Sequence, residues 1–287
     1  MSDGNSLINF GDLSKPATVL IEKVSSAVGI IFEPYHIKRK ARAEAEAEKI
    51  RVLARIELTD LEQRAVLRFV EQEARKQDNI ESITAQAASQ LPPDAKVENL
   101  EEDWVAHFFK QCDSVSDQEM QSLWASLLLG EAAKPGSFSK RTIDLVSSID
   151  KRDAELFTKF CQFVWMVGEP TPLIYETGDD IYTKEGITFS ALKHLDSIGL
   201  ISFESMSGYK RRGFAKYVHF FYFGQPTLVE FPKDENNDIA LGKALLTSTG
   251  KELVAVCGAK RNQEFYEYVT NRWFKENLVL SSIRRFE

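Results

Sequence analysis

The run Phe189-Ser-Ala-Leu192-Lys-His-Leu195-Asp-Ser-Ile-Gly199-Leu-Ile201 sets the architecture expected of the C-terminal half. Leu192 and Leu195 have the spacing that puts two side chains on one face of a helix, here a short helix from Ser190 to Ser197. Gly199 stands where glycine commonly ends a helix, since glycine enters the left-handed region without steric cost. Leu200 to Phe203 then has the length and composition of a buried strand. Farther on, Leu246-Thr-Ser-Thr-Gly250-Lys-Glu-Leu253 reads as a strand end running into a helix from about Ser248 to Val256.

These two elements resemble winged-helix domains, in which the first pattern marks the recognition helix entering the wing and the second the closing strand and helix. The resemblance covers roughly residues 153–257 and implies Lys193 and His194 as the outward residues of that helix. In the wing position lies Gly208-Tyr-Lys210-Arg211-Arg212-Gly-Phe-Ala-Lys216. A glycine-bounded basic loop there grips DNA phosphates in one reading. In the other it is a solvated hairpin tip or a protein-contact wing, which glycine and charge also favour.

Around this centre, a helix is expected from Asp153 to Val167, stopped by Gly168 and Pro170. Short β-rich runs follow at Leu173 to Tyr175, Ile181-Tyr182, Tyr217 to Phe223 and Thr227 to Phe231. A last amphipathic helix carries Phe265, Tyr266, Val269, Trp273 and Leu278.

The N-terminal half is helical in pattern. Ser14 is placed to cap a helix with Pro16 in its first turn, and Ala17, Leu20, Ile21, Val24, Ala27, Val28 and Ile31 fall on one face. Lys38-Arg39-Lys40-Ala-Arg42 then opens a stretch of strong helix formers without Gly or Pro to about Asn79. At 1.5 Å per residue such a helix of about 40 residues is roughly 60 Å long. Its stripe of Ile50, Leu53, Leu58, Leu61, Ala65 and Phe69 therefore calls for a second copy of the chain, or the helix stands out as a stalk. Leu20, Val24 and Val28 with Lys38, Arg39, Lys40 and Arg42 also fit an anionic membrane surface; the competing reading packs the apolar three into the protein or a second copy, while the basic residues start a helix.

Leu91-Pro92-Pro93-Asp94 breaks the pattern. Helices are expected from Glu98 to Cys112, from Gln118 to Leu129 behind a capping box Ser116-Asp-Gln-Glu119, and from Ser139 to Ile149. The chain thus divides into a lead with an amphipathic helix (1–36), a long charged helix (37–96), a small helical bundle (97–150) and a winged-helix-like α+β domain with a C-terminal helix (151–287). The expected class is mostly α with an α+β C-terminal part.

The net charge is −7, so any nucleic-acid contact needs a local basic patch. Cys112, Cys161 and Cys257 fit neither a disulfide framework nor a metal spacing, and suggest buried thiols in a reducing, cytoplasmic setting. No secretory pattern or run of roughly 20 apolar residues occurs. His36, His107, His194 and His219 are isolated from one another, and no P-loop, GxSxG or HExxH is present. No catalytic residue, metal or cofactor is expected. Asp179-Asp180 and Asp234 to Asp238 read as turns.

One further element is distinctive: Trp124-Ala-Ser-Leu-Leu-Leu-Gly-Glu131-Ala-Ala-Lys-Pro135-Gly136-Ser-Phe-Ser139-Lys-Arg141-Thr142. With Leu13-Ser-Lys-Pro16, Glu33-Pro34-Tyr35, the Ala/Glu run and Leu195 to Ile201, it resembles the bacterial DUF2806 family over nearly the whole chain. It is more loosely similar to the abortive-infection alpha group of phage-defence proteins. Neither resemblance implies catalytic residues. Read physically, Trp124 fills a bundle core, Gly130 and Pro135-Gly136 shape a turn, Ser139 caps the next helix, and Glu131 pairs with Arg141; the alternative is a partner-docking surface. The function expected is a non-enzymatic assembly or sensing component, self-associating through the long helix or meeting an unidentified protein partner, with DNA binding and membrane association as alternatives.

Overall fold

A computed structural model describes residues 14–29 and 59–282. The chain divides into two compact units, Met1–Ser147 and Ser148–Glu287. It is mostly helical, and antiparallel sheets enter in the second unit.

In the first unit, α1 spans Lys15–Val28. Ser14 Oγ accepts the Ala17 amide, proline stands in the first turn and Gly29 (φ 73°) ends the helix in the left-handed region. Ala17, Leu20, Ile21 and Val24 are buried. Helix α2 spans Asp60–Ser89 and begins at a full capping box: Thr59 accepts the Glu62 amide while Glu62 accepts from the Thr59 backbone. Thr59 is extended (φ −60°, ψ 156°), so one helix does not run from residue 38 to residue 79. Local side-chain capping overrides the helix propensity of the flanking residues, and at the other end the helix continues past Asn79 to Ser89. Residues 37–58 of the expected long helix lie outside the described residues.

A 3-10 turn at Val97–Asn99 precedes α3, Glu102–Cys112, which starts later than expected because Leu100 is extended. Helix α4 spans Gln118–Ala133. Its cap is Asp117, not Ser116: the carboxylate accepts the Glu119 and Met120 amides at 3.0 Å each. The helix passes through Gly130 instead of stopping there. Helix α5, Lys140–Ser148, follows. Trp104, Phe108, Phe109, Trp124, Leu127 and Leu128 are buried, and Phe108 stands edge-on to Trp124 with ring centroids 5.2 Å apart. Burying each such side chain contributes about 1.5–3 kcal/mol, which is what holds α1, α3, α4 and the second half of α2 together.

The second unit opens with α6, Lys151–Cys161, capped reciprocally by Asp150 and Asp153. It ends well before Val167. Val164–Met166 is strand β1, because this apolar run satisfies its backbone against β2 (Pro170–Pro172) and a later strand, Tyr217–Tyr222. Ile181-Tyr182 lies not in a strand but in the short helix α7, Asp180–Thr183; Tyr182 is buried, and its hydroxyl donates to Leu173 O at 2.8 Å.

Helix α8, Phe189–Ser197, leads through Gly199 into β3, Ile201–Phe203. The basic stretch is not a loop: Tyr209–Phe214 is strand β4, paired through two register shifts with β7, Asn237–Gly242. Strands β5 (Tyr217–Tyr222) and β6 (Gln225–Glu230) form a hairpin between them. Strand β8, Ala244–Leu246, pairs with β3 and leads into α9, Ser248–Leu253. Helix α10, Gln263–Lys275, is followed by β9, Val279–Ser282. The larger sheet has the order β2-β1-β5-β6-β9. Its inward residues Trp165, Phe220 and Tyr222 are buried with Phe265, Val269 and Trp273 of α10, as the two-residue period of a strand dictates.

Candidate functional site

The Trp124 to Thr142 element folds as a clamp. Glu131 is buried near the end of α4, and its carboxylate takes two backbone amides of the following turn: Gly136 N at 2.6 Å and Phe138 N at 2.8 Å. The expected pairing with Arg141 is not made; Arg141 is exposed, and the turn's own amides occupy the carboxylate. Gly136 (φ 87°) allows the reversal after Pro135. The ring of Phe138 lies against Gly130, and its carbonyl accepts Trp104 Nε1 at 2.7 Å. Ser139 Oγ accepts the Thr142 amide at 3.3 Å at the start of α5. Trp124 is fully buried beside Phe108. Glu131, Pro135, Gly136 and Ser139 thus belong to one turn held by the Glu131 carboxylate, Trp124 lies in the core before it, and Arg141 stands apart.

The basic residues of the second unit do not form one patch. Arg211 donates to Val167 O at 2.5 Å and faces Glu169 at 3.6 Å. Lys216 pairs with Asp234 at 3.2 Å, which raises its pKa. Lys193 lies 3.6 Å from Asp196 and over the Phe203 ring, and His194 Nε2 is 2.6 Å from Asp153. Lys210 and Arg212 are exposed two positions apart on β4, with Asp238 directly across from Arg212. Four of the six candidates are therefore engaged by acidic or carbonyl groups of the same unit.

On α1, Leu20 and Val24 are fully buried and Val28 is half-buried, so packing within the unit accounts for the apolar face. Lys38, Arg39, Lys40 and Arg42 lie outside the described residues. A different apolar surface appears on α2. Every residue from Thr59 to Phe69 is exposed, including Leu61 (69%) and Phe69 (63%), whereas Ile80, Ile83 and Ala87 in the second half are buried. Leu61, Ala65 and Phe69 follow a four-residue step, and Val66 and Val70 flank them; the 3.6-residue period makes this one stripe.

Among the described residues no group of three or more His, Cys, Asp and Glu gathers as a metal site, and no helix is long and apolar enough to cross a membrane. Cys112 and Cys161 are buried, as expected, but Cys257 is half-exposed. Thr158 Oγ1, on the helix that carries Cys161, donates to Cys257 O at 2.9 Å, and burial raises the Cys161 pKa well above the ordinary thiol value.

No curated protein and no solved structure matches the chain. The family model described as a protein of unknown function, DUF2806, matches residues 63–270, from the exposed half of α2 through the clamp and strands β1 to β8 into α10. The chain belongs to the DUF2806 family.

Proposed function

We propose that this protein is an assembly component that self-associates through the first half of α2. One observation carries the reading: the stripe of Leu61, Ala65 and Phe69 is exposed on a helix whose second half is anchored in a packed core. Large apolar side chains repeated along one helix face favour a partner helix. The polar positions suit a second copy, since Arg64, Arg68, Arg75 and Lys76 are interleaved with Asp60, Glu62, Glu71 and Glu73. Two such helices place opposite charges across the seam when paired antiparallel.

Light scattering on the full chain and on a Leu61→Glu/Phe69→Glu variant tests this. A wild-type oligomer that becomes monomeric in the variant, with an unchanged circular dichroism spectrum, is the expected result. A monomeric wild type at tens of micromolar removes the proposal. Anti-phage defence is the setting we propose, on the looser resemblance alone; unaltered phage infection after deletion of the gene would argue against it.

A winged-helix-like DNA regulator is the second reading. The succession α6, α7, α8, β3, β8 favours it, with Lys210 and Arg212 as the exposed cations for phosphate. DNA affinity that falls with salt and drops in a Lys210→Glu/Arg212→Glu variant would support it. Affinity untouched by that variant would exclude it.

A further inference from the structure

The larger sheet has one face that α10 does not cover. Along β5 the burial alternates: Phe220 and Tyr222 are buried on the α10 side, while Tyr217, His219 and Phe221 are exposed on the other. Phe223, in the two-residue turn to β6, is exposed as well. Four aromatic rings thus occur at every second residue over about 20 Å of chain. The His219 and Phe221 rings lie 6.5 Å apart at 30° to one another. Their cross-strand neighbours are apolar: Met166 and Pro226 stand opposite Phe221, and Leu228 opposite His219. Tyr217, Phe221, Phe223 and Met166 are between 41% and 57% exposed, so no described residue covers the row. Phe223 also holds φ 46°, a conformation that glycine or asparagine ordinarily takes in such a turn. A phenylalanine there bears strain that its exposed ring does not recover by burial.

We propose that this face binds single-stranded DNA, with unpaired bases stacked on Tyr217, His219, Phe221 and Phe223. Bases of any sequence stack on aromatic side chains, and the step between alternate residues of a strand, about 6.6 Å, is one that an extended nucleotide spans. The charges fit the phosphates of such a strand. At one end of β5, Lys216 Nζ lies over the Tyr217 ring at 5.9 Å; at the other, the Arg261 guanidinium lies over the Tyr222 ring at 5.8 Å, and that ring meets Phe223 edge-on at 4.9 Å. Lys216 pairs with Asp234, whose side chain is 90% exposed; solvent screens such a pair, so a phosphate can take the carboxylate's place. Arg261 is exposed and donates to a neutral partner, Gln263 Oε1, at 3.0 Å. The outward positions of β5 and β6 hold one acid, Glu230, whose Oε1 accepts the Tyr217 hydroxyl at 3.3 Å.

The same chemistry selects the ligand. A duplex keeps its bases stacked on one another and presents no base face to the row. A ribose 2′-hydroxyl would lose water against Met166, Pro226 and Leu228 without gaining a partner, which favours deoxyribose. Stacking carries the affinity and two cations meet phosphate, so the dependence on salt is shallow: log K falls with log salt at a slope of about −1.4.

The test measures the full chain by fluorescence anisotropy against a labelled 12-nucleotide DNA of mixed sequence, its duplex and the RNA of the same sequence. The single-stranded DNA should bind at least about tenfold tighter than the duplex and no more weakly than the RNA. Tyr217→Ala and Phe221→Ala, at exposed positions, should each weaken it at least about fivefold, the lower bound for a lost base stack, with melting temperature and light-scattering mass unchanged. Lys216→Gln/Arg261→Gln should flatten the salt slope. Ultraviolet cross-linking of the wild-type chain to the bound strand should map to residues 217–223, without reference to any variant. No binding by the wild type at about 0.1 mM protein in low salt, tighter binding of the duplex or the RNA, or a cross-link on β4 instead overturns the proposal. So does a Tyr217→Ala/Phe221→Ala chain whose one defect is lost self-association, which would give the face to a second copy.

Discussion

The hydroxyl of Thr247 donates to the carbonyl oxygen of Gly199 at 2.7 Å. This bond joins the two stretches that gave the C-terminal half its sequence signature, the helix-glycine-strand run and the strand-to-helix run. Thr247 N also donates to Leu200 O, Ile201 pairs with Leu246 across β3 and β8, and Thr247 Oγ1 accepts the Gly250 amide as the N-cap of α9. Gly250 is required because the first turn of α9 presses on Leu200: a Cβ at that position would overlap the Leu200 carbonyl oxygen. Gly250→Ala should therefore lower stability by about 3 kcal/mol, at the upper end of overpacking costs, although alanine is the better helix former. A melting temperature equal to or above wild type would refute this account.

Gly130 makes the same argument in the first unit with a softer neighbour. A Cβ there would lie 2.6 Å from Phe138 Cε2. The ring is buried, and its backbone amide is held by Glu131, so little room remains for it to swing away. Gly130→Ala should cost about 1–2 kcal/mol in urea unfolding, against a gain of about 1 kcal/mol from helix propensity alone. Adding Phe138→Leu should recover part of the loss, since the shorter side chain yields to the new methyl group.

Glu131 and Arg141 separate packing from charge pairing. Removing the Glu131 carboxylate leaves the Gly136 and Phe138 amides without their acceptor, and hydrogen bonds to a charged group contribute about 1.5–3 kcal/mol each. Glu131→Ala should be destabilising by about 3 kcal/mol or more, and Glu131→Gln by less, since one carbonyl oxygen remains. Arg141→Ala, on the exposed face of α5, should stay within about 0.5 kcal/mol of wild type. Comparable losses at Glu131 and Arg141 would restore the ion pair that the sequence suggested.

Elements with strong periodicity and local caps were legible in the sequence: α1 with Ser14, α4 with its apolar face, α8 ending before Gly199, and the two runs that became β5 and β6. Val164–Met166 was misread because a short apolar run fits a buried helix and a buried strand equally well, and only its partners β2 and β5 decide. The basic strand β4 was misread for a related reason. Its glycines suggest a loop, while the pairing partner, Asn237–Gly242, lies in a stretch of Asn and Asp that reads as a turn. Thr59-Asp-Leu-Glu62 is a visible capping box in hindsight, hidden by the helix formers on both sides. The family was legible, since the Trp124 to Thr142 element is specific.

Glu169 shows how the candidate basic site is spent on structure, and gives a pH test. Its carboxylate meets Lys251 of α9 at 2.5 Å and Arg211 of β4 at 3.6 Å. The Lys251 hydrogen bond, the largest influence, lowers its pKa below 4.5; burial opposes this, and the Lys251 and Arg211 charges add to the lowering. A carboxylate with a depressed folded-state pKa contributes stability that is fully present above its unfolded value and is lost as pH falls through the folded one. The group is about half-exposed, so the contribution at neutral pH should be at most about 1 kcal/mol. Glu169→Gln should trail wild type by that amount from pH 7 down to about 5 and converge on it in more acidic solution; added salt should narrow the gap at neutral pH. A gap that persists undiminished at the acid end of the range would mean that Glu169 acts through packing, and would return Arg211 to the residues available for a ligand.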